Sequence, residues 1–461
     1  MLTILLLFSA MICYIALLAT YKQQAKYQNG MLFAVTLPGG ALEHADLQHV
    51  RARFDKSFSK AGLWMGIGLI PFVILYAWIP YQVIYFLVWL CALVLAVVAP
   101  FRRAFRDTLA LKREHEWFVG NKRVILSDLR VAQLKNKRSA SLWLYLIPFA
   151  MAIGMLLWAV RSEDPFFGVT TGGLVLTALF LFISLYMRRI KSKVYSMNSE
   201  VNIILNQARR RTISYLWLWM AIAENIHFLL IYILLVNGNA GMDGLWIAVI
   251  LLFTAIPAGS IYYAYHKIHA LEQEVLAQDG KVIYTDDDEY WANGFTYHNP
   301  HDKSIFVPKR VGMGATINTA TRVGKCIIWG TAGIIAALII GVSFMLVRSE
   351  ITSPTLSITS DQRVDIRYPM YSYEFGIDDI KELTLADTVP SGGVKTNGEA
   401  TGKYSRGKFR LKELGKSRLY IFKNNPPYIR IKLDDVYIFY NEKEPLLTRQ
   451  IFEQLQKQMG K

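Results

Sequence analysis

Eight apolar runs, separated by polar and mostly basic connections, occupy the chain as far as residue 347. Each run has about 20 residues and few charges, which is the length that a helix needs to cross a hydrocarbon core of about 30 Å. Because a backbone in lipid must satisfy its own hydrogen bonds, each run predicts a transmembrane helix. The predicted spans are residues 1–21, 62–79, 82–99, 141–160, 168–187, 216–236, 244–265 and 326–347.

Residues 348–461 differ in pattern, because short segments of alternating apolar and polar residues replace the long apolar runs. This alternation, interrupted by Asn-, Asp- and Pro-rich turns, predicts about seven β-strands. Asn424–Pro427 and Leu433–Asp435 are predicted as hairpin connections. Pro445 begins a predicted helix with an apolar stripe that would close one end of a barrel. The stripe consists of Leu447, Ile451, Leu455 and Met459, with Phe452 beside it.

The predicted fold is therefore an α-helical polytopic membrane protein with about eight transmembrane helices and a C-terminal β-rich domain. Strands followed by one amphipathic helix are the order of a pleckstrin-homology-like barrel. The predicted regions are a seven-helix membrane region (1–265), a cytosolic segment (266–325, hereafter the signature segment), the last transmembrane helix (326–347) and the β domain (348–461, hereafter the tail).

A further helix is predicted after the Pro38-Gly39-Gly40 break, before the second span. Apolar residues recur there at spacings of three and four, at Leu47, Val50, Phe54 and Phe58. Basic residues surround this face. The pattern fits a helix lying on the inner leaflet and equally a juxtamembrane helix packed on neighbouring loops.

The distribution of basic residues predicts the orientation of the chain. Connections 22–61, 101–140, 188–215 and 266–325 hold 6, 11, 7 and 7 Lys or Arg residues, 31 together. The alternate connections, 80–81, 161–167 and 237–243, hold one, Arg161. Since basic residues accumulate on the cytoplasmic side, the N-terminus and, after eight crossings, the tail are predicted to be extracytoplasmic, in a multi-pass protein of the cell membrane.

Charge and composition exclude several classes of protein. The formal net charge is +16, but the excess lies in short loops between spans, which favours an anionic inner leaflet over nucleic acid as the partner. The three cysteines lie in or beside apolar runs, so neither a disulfide framework nor a thiolate metal site is predicted. No catalytic-triad order, H-E-x-x-H or G-x-S-x-G motif occurs, and we therefore expect neither an enzyme nor a cofactor.

The sixth span carries Glu224, Asn225 and His227 near the middle of the membrane. A charged side chain at that depth costs about 2.5–3.5 kcal/mol on insertion scales, so it should face the bundle interior or a cavity. Glu224 and His227 are three residues apart and share a helix face, where they could share a proton or bind a cation. The alternative is ordinary hydrogen bonding between helices.

The signature segment has the densest set of polar and turn-forming residues. Asp286–Glu289, with His298, His301 and Asp302, could form an oxygen-rich metal site, but they do not fit the calcium-loop pattern and four consecutive acids are more often solvated. A phosphate loop fails on spacing, because Thr319 stands where the first Gly is required. We expect Lys309 and Arg310 to lie near anionic lipid.

Three groups of residues carry a resemblance to known families. The signature residues Trp291, Gly294, Asn299, Pro300, Asp302, Pro308, Lys309, Arg310, Gly312, Gly314 and Asn318 resemble those of a bacterial multi-pass membrane family with a cytosolic domain of unknown function. Phe33-Ala34-Val35-x-Leu37-Pro38 is similar to an element of that family and, distantly, of SdpI-type immunity proteins. The tail, with Lys395–Gly398 and Gly407-x-Phe409, resembles bacterial pleckstrin-homology-like domains. The resemblance implies a bacterial plasma-membrane protein and no catalytic residues.

Two functions from different classes remain open. The first is a non-enzymatic role in envelope sensing, immunity or interaction, in which the tail binds a peptide or protein and the helices anchor or transmit. The second is a secondary transporter that uses Glu224 and His227 near the midplane.

Overall fold

The computed structural model describes residues 2–28, 30–119, 121–122, 129–161, 167–236, 243–281, 285–292, 294–310, 314–390 and 392–460. Within them, eight helical stretches are long and apolar enough to cross a membrane. Each corresponds to one of the eight predicted spans, because a run of some 20 apolar residues allows the backbone few alternatives.

The described residues of the N-terminal region form nine α-helices. They are α1 (Leu2–Lys22), α2 (Ala45–Ile67), α3 (Ile70–Ile74), α4 (Ile79–Glu114), α5 (Leu129–Leu134), α6 (Leu146–Arg161), α7 (Phe167–Arg189), α8 (Ser199–Val236) and α9 (Asp243–Asp279). With 36, 38 and 37 residues, α4, α8 and α9 are each about 55 Å long at a rise of 1.5 Å per residue. They therefore extend well beyond a hydrocarbon core of about 30 Å.

The stripe of the predicted helix after Pro38 is buried. Leu47, Val50, Phe54 and Phe58 are at most 8% exposed, and α2 continues without interruption into the second span. The ring of Phe54 lies 4.9 Å from that of Phe33. The structure therefore favours the packed juxtamembrane helix over a helix lying on lipid.

The signature segment folds into short strand pairs that lie between α9 and the last long helix, α10 (Arg322–Ile351). Its strands are β4 (Thr285–Asp286), β5 (Trp291–Ala292), β6 (Thr296–Tyr297), β7 (Phe306–Pro308) and β8 (Ala315–Ile317), while β1 (Met31–Leu32), β2 (Val35–Thr36) and β3 (Asn121–Lys122) precede it. β5 pairs with β6, β7 with β8, and β4 with β3. Trp291, Tyr297 and Val307 join the apolar core of α1, α2 and α4, so the segment is an integral part of that core.

The tail is β-rich and ends in one helix. Its strands are β9 (Thr355–Ile358), β10 (Arg363–Arg367), β11 (Tyr373–Gly376), β12 (Glu382–Ala386), β13 (Gly393–Ala400), β14 (Tyr404–Leu411), β15 (Gly415–Phe422), β16 (Tyr428–Lys432) and β17 (Tyr437–Tyr440), followed by α11 (Pro445–Met459). A three-stranded sheet has the order β11-β10-β9, and a six-stranded sheet has the order β12-β16-β17-β15-β14-β13. The described residues of the tail thus contain nine strands where the alternation predicts about seven.

Two details of the tail differ from the expectations. Asn424–Pro427 is not a hairpin connection, because β17 lies between β15 and β16 and pairs with β15 in parallel. The Leu433–Asp435 turn does join the antiparallel strands β16 and β17. In the stripe of α11, Leu455 is fully buried in the tail core, whereas Leu447 and Met459, at the two ends, are 43% and 39% exposed.

Candidate functional site

The acidic run of the signature segment is buried rather than solvated. Asp286 and Asp288 are 6% and 1% exposed. Burying a carboxylate costs several kcal/mol unless it is paired and hydrogen-bonded, so its partners decide what the run does. The expectation of a solvated run is wrong for these two residues.

Asp288 accepts hydrogen bonds from three separate parts of the chain. The backbone N–H and the hydroxyl of Thr36 donate to it at 3.0 and 3.1 Å, and Nζ of Lys112 donates at 2.6 Å. The guanidinium of Arg310 forms a further ion pair with it. Burial alone would raise the pKa of Asp288, but Arg310 and Lys112 outweigh burial and hold that pKa below its usual range.

Lys112 is 1% exposed, in the last turn of α4. Its Nζ also donates to Asp286 Oδ1 at 2.8 Å. Lys112 follows Phe101, Phe105 and Thr108 on the same buried face of α4, at a spacing of three to four residues. A lysine on an apolar stripe is a signal, visible in the sequence, for a buried cation that needs an acidic partner.

Arg310 does not lie on the lipid surface, contrary to the expectation. Its guanidinium pairs with Asp287 and Asp288, donates to the carbonyl oxygen of Ala34 at 2.6 Å, and lies over the ring of Trp291 at 5.1 Å. Burial alone would lower the pKa of Arg310, but the two carboxylates outweigh burial and raise it. Lys309, its neighbour, is exposed.

The Arg310 contact supports a strained turn near the N-terminus. β1 and β2 are joined by Phe33 and Ala34, whose φ angles are +50° and +64°. Such values match a two-residue hairpin turn that normally contains glycine or asparagine, so each residue costs of order 1–3 kcal/mol. The bonds from Arg310 to Ala34 and from Thr36 to Asp288 fix this turn. Arg310, in the motif at 290–318, thus contacts the motif at 33–38 directly. The residues of this network are hereafter called the charged junction: Ala34, Thr36, Lys112, Asp286, Asp287, Asp288 and Arg310.

A second polar cluster is centred on Asn318, which is fully buried. Its amide nitrogen donates to the carbonyl oxygens of Asn299 and Asp302, at 2.9 and 2.8 Å, and its side-chain oxygen accepts from the backbone N–H groups of Asn299 and Ala320. These four bonds use the whole bonding capacity of the amide. Thr321, three residues on, caps α10 by accepting from the N–H of Gly324 at 3.0 Å.

The glycines and prolines of the signature have backbone or packing roles. Gly294 has φ +73°, and a Cβ there would lie 3.0 Å from Phe101, on α4. Gly314 has φ +108° and follows the strand that ends at Pro308, whereas Pro300 is exposed. The left-handed φ values favour glycine at both positions. Gly312 lies outside the described residues.

The candidate metal ligands of the signature are not gathered. Asp302 is buried with Tyr297 and Lys191, which donate to it at 3.3 and 3.4 Å, and His298 bonds to Thr319 at 2.9 Å. Among the described residues, these His and Asp side chains do not form a group within ligand distance. Burial alone would raise the pKa of Asp302, but hydrogen bonds from Ser304 and the Lys191 charge lower it.

The three polar residues of the sixth span divide between two faces of α8. Glu224 Oε2 lies 3.2 Å from His227 Nδ1, and the His227 ring stacks on Phe253 of α9 with centroids 4.7 Å apart. Asn225 instead faces α7, where its amide donates to the Thr177 hydroxyl at 2.7 Å. The structure therefore brings Glu224 and His227 together and separates Asn225 from them.

The last helix is held firmly at its C-terminal end. Arg406, which is 2% exposed, donates to the carbonyl oxygens of Ser349 and Thr352 at 2.9 and 3.1 Å. Tyr368 donates to Ser349 at 2.9 Å, and Tyr404 donates to Glu350 at 2.7 Å. A guanidinium at the C-terminus of a helix satisfies unpaired carbonyls and complements the negative end of the helix dipole. The sequence gives no sign that Arg406 is buried, because nothing in a strand of alternating residues marks which basic side chain is buried.

Comparisons with curated proteins and with solved structures found no match. One family model does match part of the chain. It covers the turn whose backbone Asn318 binds, the strands β7 and β8, and the first residues of α10. Residues 300–325 are similar to a family of unknown function, DUF5808.

Proposed function

We propose that this chain is a non-enzymatic bacterial plasma-membrane protein in which α10 transmits between the tail and the charged junction. The observation that carries the proposal is the attachment of α10 at its two ends. None of its apolar 18-residue window is buried against the described chain, which leaves that window to face lipid. The helix also lies beside α4, but its firm polar attachments are at its two ends. A rod fixed at its ends in two folded modules passes a displacement of one module to the other.

The attachment at each end is made of buried polar contacts. At the tail end, Arg406 and Tyr368 hold the terminal carbonyls of the helix. At the signature end, a Cβ on Gly324 would lie 2.1 Å from the Asn318 carbonyl oxygen, which shows how closely the helix approaches the Asn318 cluster. Such contacts have few alternative arrangements, which favours movement of the whole helix over bending at its ends.

The same proposal assigns sides to the two modules. The signature segment is cytosolic and the tail extracytoplasmic, as the 31-to-one distribution of basic residues in the connections favours. Lys403 lies 5.7 Å from the ring of Trp78, so the tail approaches the α3–α4 connection, which is one of the connections poor in basic residues. The tail is a pleckstrin-homology-like sensing domain, and the whole chain is a distant relative of SdpI-type immunity proteins.

A peptide or protein is the proposed partner of the tail. β13 is the outer strand of the six-stranded sheet, and it pairs with β14 on one side. An extended peptide can add to such an edge through main-chain hydrogen bonds. This edge lies close to the attachment of α10, because Glu399 of β13 bonds to Ser349 and Tyr368. Occupation of the edge would therefore act on the end of the helix directly.

An anionic phospholipid of the inner leaflet is the second proposed partner. An open groove of about 1220 Å³ runs between α8 and α9, with apolar walls that include Leu216 and Ile256. Arg211 and Lys267, both exposed, lie on its rim. Acyl chains fit the walls and a phosphate fits the basic rim. Replacing both basic residues by Gln should lower the amount of phosphatidylglycerol that stays bound through purification, measured by lipid mass spectrometry. The control Lys303→Gln should not lower it. Equal retention in the two variants would exclude the groove as a binding site for this lipid.

Hydrogen exchange tests the transmission directly. In nanodiscs, Arg406→Gln should raise exchange in the tail and also at residues 315–325, where α10 begins. Arg418→Gln is the matched control, since Arg418 lies over the Tyr373 ring at 3.6 Å elsewhere in the tail. If the change caused by Arg406→Gln stays within the tail, residues 348–461, α10 does not transmit and the proposal fails.

A transporter is the alternative that the Glu224–His227 pair favours. Nε2 of His227 is buried and has no hydrogen-bond partner among the described residues, as a proton-accepting group would require. Proteoliposomes under an imposed potential provide the test, with proton uptake as the signal. Loss of uptake in Glu224→Gln but not in Asp361→Asn, an exposed tail residue, would establish the transporter. Absence of uptake in the unaltered protein would remove this alternative.

A further inference from the structure

Three metal-ligating side chains meet where α2 begins and α4 ends. His44 immediately precedes α2, Asp46 lies in the first turn of α2, and His115 immediately follows α4. Their ligand atoms all lie within 4.8 Å of one another. His44 and His115 are 71 residues apart in sequence, so the sequence pattern gives no indication of this group.

The distances from Asp46 to the two histidines are close to those around a tetrahedral ion. Zinc binds imidazole nitrogen at about 2.0–2.1 Å and carboxylate oxygen at about 2.0–2.2 Å, which places neighbouring donors about 3.4 Å apart. Asp46 Oδ2 lies 3.5 Å from His44 Nδ1 and 4.0 Å from His115 Nε2. Neither distance is that of a hydrogen bond. Asp46 is exposed, so its side chain can close the remaining few tenths of an ångström by a small rotation.

The His44 nitrogen is already prepared for a ligand. Nδ1 of His44 is buried and has no hydrogen-bond partner among the described residues. A buried nitrogen without a partner costs about 1–3 kcal/mol, which an ion would remove. The indole of Trp117 packs against the His44 ring and limits its rotation.

Trp117 forms the apolar wall of the group. Its ring stacks on His115 at 4.7 Å and contacts His44 edge-on at 5.1 Å. Glu116 has φ +54°, and this left-handed residue folds the chain back so that the backbone N–H of Trp117 donates to the carbonyl oxygen of Lys112 at 3.0 Å. A non-glycine residue in this conformation is sparsely populated and is held by its surroundings. The strain is therefore located at the residue that orients the wall.

The local charge favours a cation. Glu43 flanks His44, and Glu114 and Glu116 flank His115, while Arg113 is the basic residue close in sequence. The charge of Lys112, deeper in the protein, is already balanced by Asp286 and Asp288. Imidazole suits zinc, copper, iron and nickel, and zinc is bound in proteins by two histidines and one carboxylate with a water in the fourth position.

We propose that His44, Asp46 and His115 bind one divalent first-row transition-metal ion, zinc foremost, with water in the fourth position. The ion joins the start of α2 to the end of α4, one turn beyond Lys112 of the charged junction. Bound metal thus stabilises the end of the molecule to which α10 delivers its displacement. The proposal is independent of any partner of the tail.

Zinc binding by the full chain in nanodiscs tests the site. Zn²⁺ is titrated in competition with a chromophoric chelator, and Co²⁺ is titrated separately because its visible absorption reports tetrahedral coordination. One ion per chain is expected. His44→Gln and His115→Gln should each weaken binding roughly 100-fold or more, since even the loss of an outer partner costs 10–100-fold. His49→Gln is the control, because His49 is exposed one turn further along α2.

Several results would overturn the proposal. Wild-type affinity in either the His44 or the His115 variant would do so, and so would an equal loss in the His49 variant. Thermal unfolding without metal shows whether the variants fold. If a histidine variant does not fold, Asp46→Asn decides, because the Asp46 side chain is exposed and the substitution removes only a metal ligand. Unchanged zinc affinity in Asp46→Asn excludes the site, and loss of the tetrahedral Co²⁺ spectrum supports it.

Discussion

Removing the charge of Asp288 is the sharpest test of the charged junction. Asp288→Asn keeps the size of the side chain but replaces one acceptor oxygen by an NH₂ group. The groups that face it are all donors: two from Thr36, one from Lys112 and one from Arg310. The variant therefore creates a donor–donor clash and leaves two buried cations with less opposing charge.

The expected loss is about 3 kcal/mol. Removing one partner of a buried ion pair costs about 3–5 kcal/mol. The lower end applies here, because Lys112 keeps Asp286 at 2.8 Å and Arg310 keeps Asp287. At 1.4 kcal/mol per factor of ten, 3 kcal/mol is about 150-fold in the equilibrium between the closed and the open junction.

Native-state hydrogen exchange measures this equilibrium locally, since opening of the junction exposes amides without unfolding the helices. Exchange of residues 285–292 should become about 150-fold faster in Asp288→Asn. Asp287→Asn is the control, because Asp287 is 28% exposed and its loss should cost about 1 kcal/mol, or roughly fivefold. Equal acceleration in the two variants would refute the reasoning, because burial would then contribute nothing.

The same carboxylate predicts an acid limit. The pKa of Asp288 is lower in the folded protein than its unfolded value of about 3.9. The stabilisation is therefore complete above about pH 4 and is lost as the pH falls through the lowered folded pKa. Exchange at the junction should change little between pH 7 and about 4.5, after correction for the intrinsic rate, and rise below about pH 4. A rise near pH 6 would show that other groups control the junction.

Two further variants address the last helix and the orientation of the chain. Gly324→Ala should lower the unfolding temperature in detergent and the free energy of unfolding by roughly 1–3 kcal/mol, because the added Cβ would lie 2.1 Å from a backbone oxygen. Gly330→Ala is the control, since there is open space around Gly330 and no loss is expected. Equal effects of the two substitutions would refute the close-packing argument. In a cysteine-free background, an impermeant maleimide added to intact cells should label Ser360→Cys in the tail and not Lys303→Cys in the signature segment, both exposed positions, and the reverse result would invert the proposed topology.

The spans and the β-rich tail are predictable because their signals are local. A run of about twenty apolar residues favours a helix, and alternation of apolar and polar residues over about five positions favours a strand. β13 shows where this fails: Gly393–Ala400 has two glycines and no apolar alternation, yet it pairs along most of β14. Its strand conformation comes from its neighbour and from the close approach of Gly398 to Gly407, which the sequence of β13 alone does not specify.

The charged junction is hidden from the sequence for the same reason. Asp288 lies 252 residues from Thr36 and 176 from Lys112, so its burial depends on contacts between distant segments. Four consecutive acids have no local partner and therefore indicate a solvated run. The position of Lys112 on an apolar stripe indicates a buried cation. It does not by itself indicate which acidic residue pairs with that cation.

The described part of the matched residues 300–325 supports the start of α10. Asn318 uses its full bonding capacity on the backbone of its own turn, and Asp302 is taken up by Ser304, Tyr297 and Lys191. Polar groups that are satisfied internally cannot also bind a substrate without breaking those bonds. What the segment provides is a rigid start for α10, positioned against α4 through the charged junction. Groups that retain bonding capacity include His44 Nδ1 beside the junction, His227 Nε2 in α8 and the outer edge of β13.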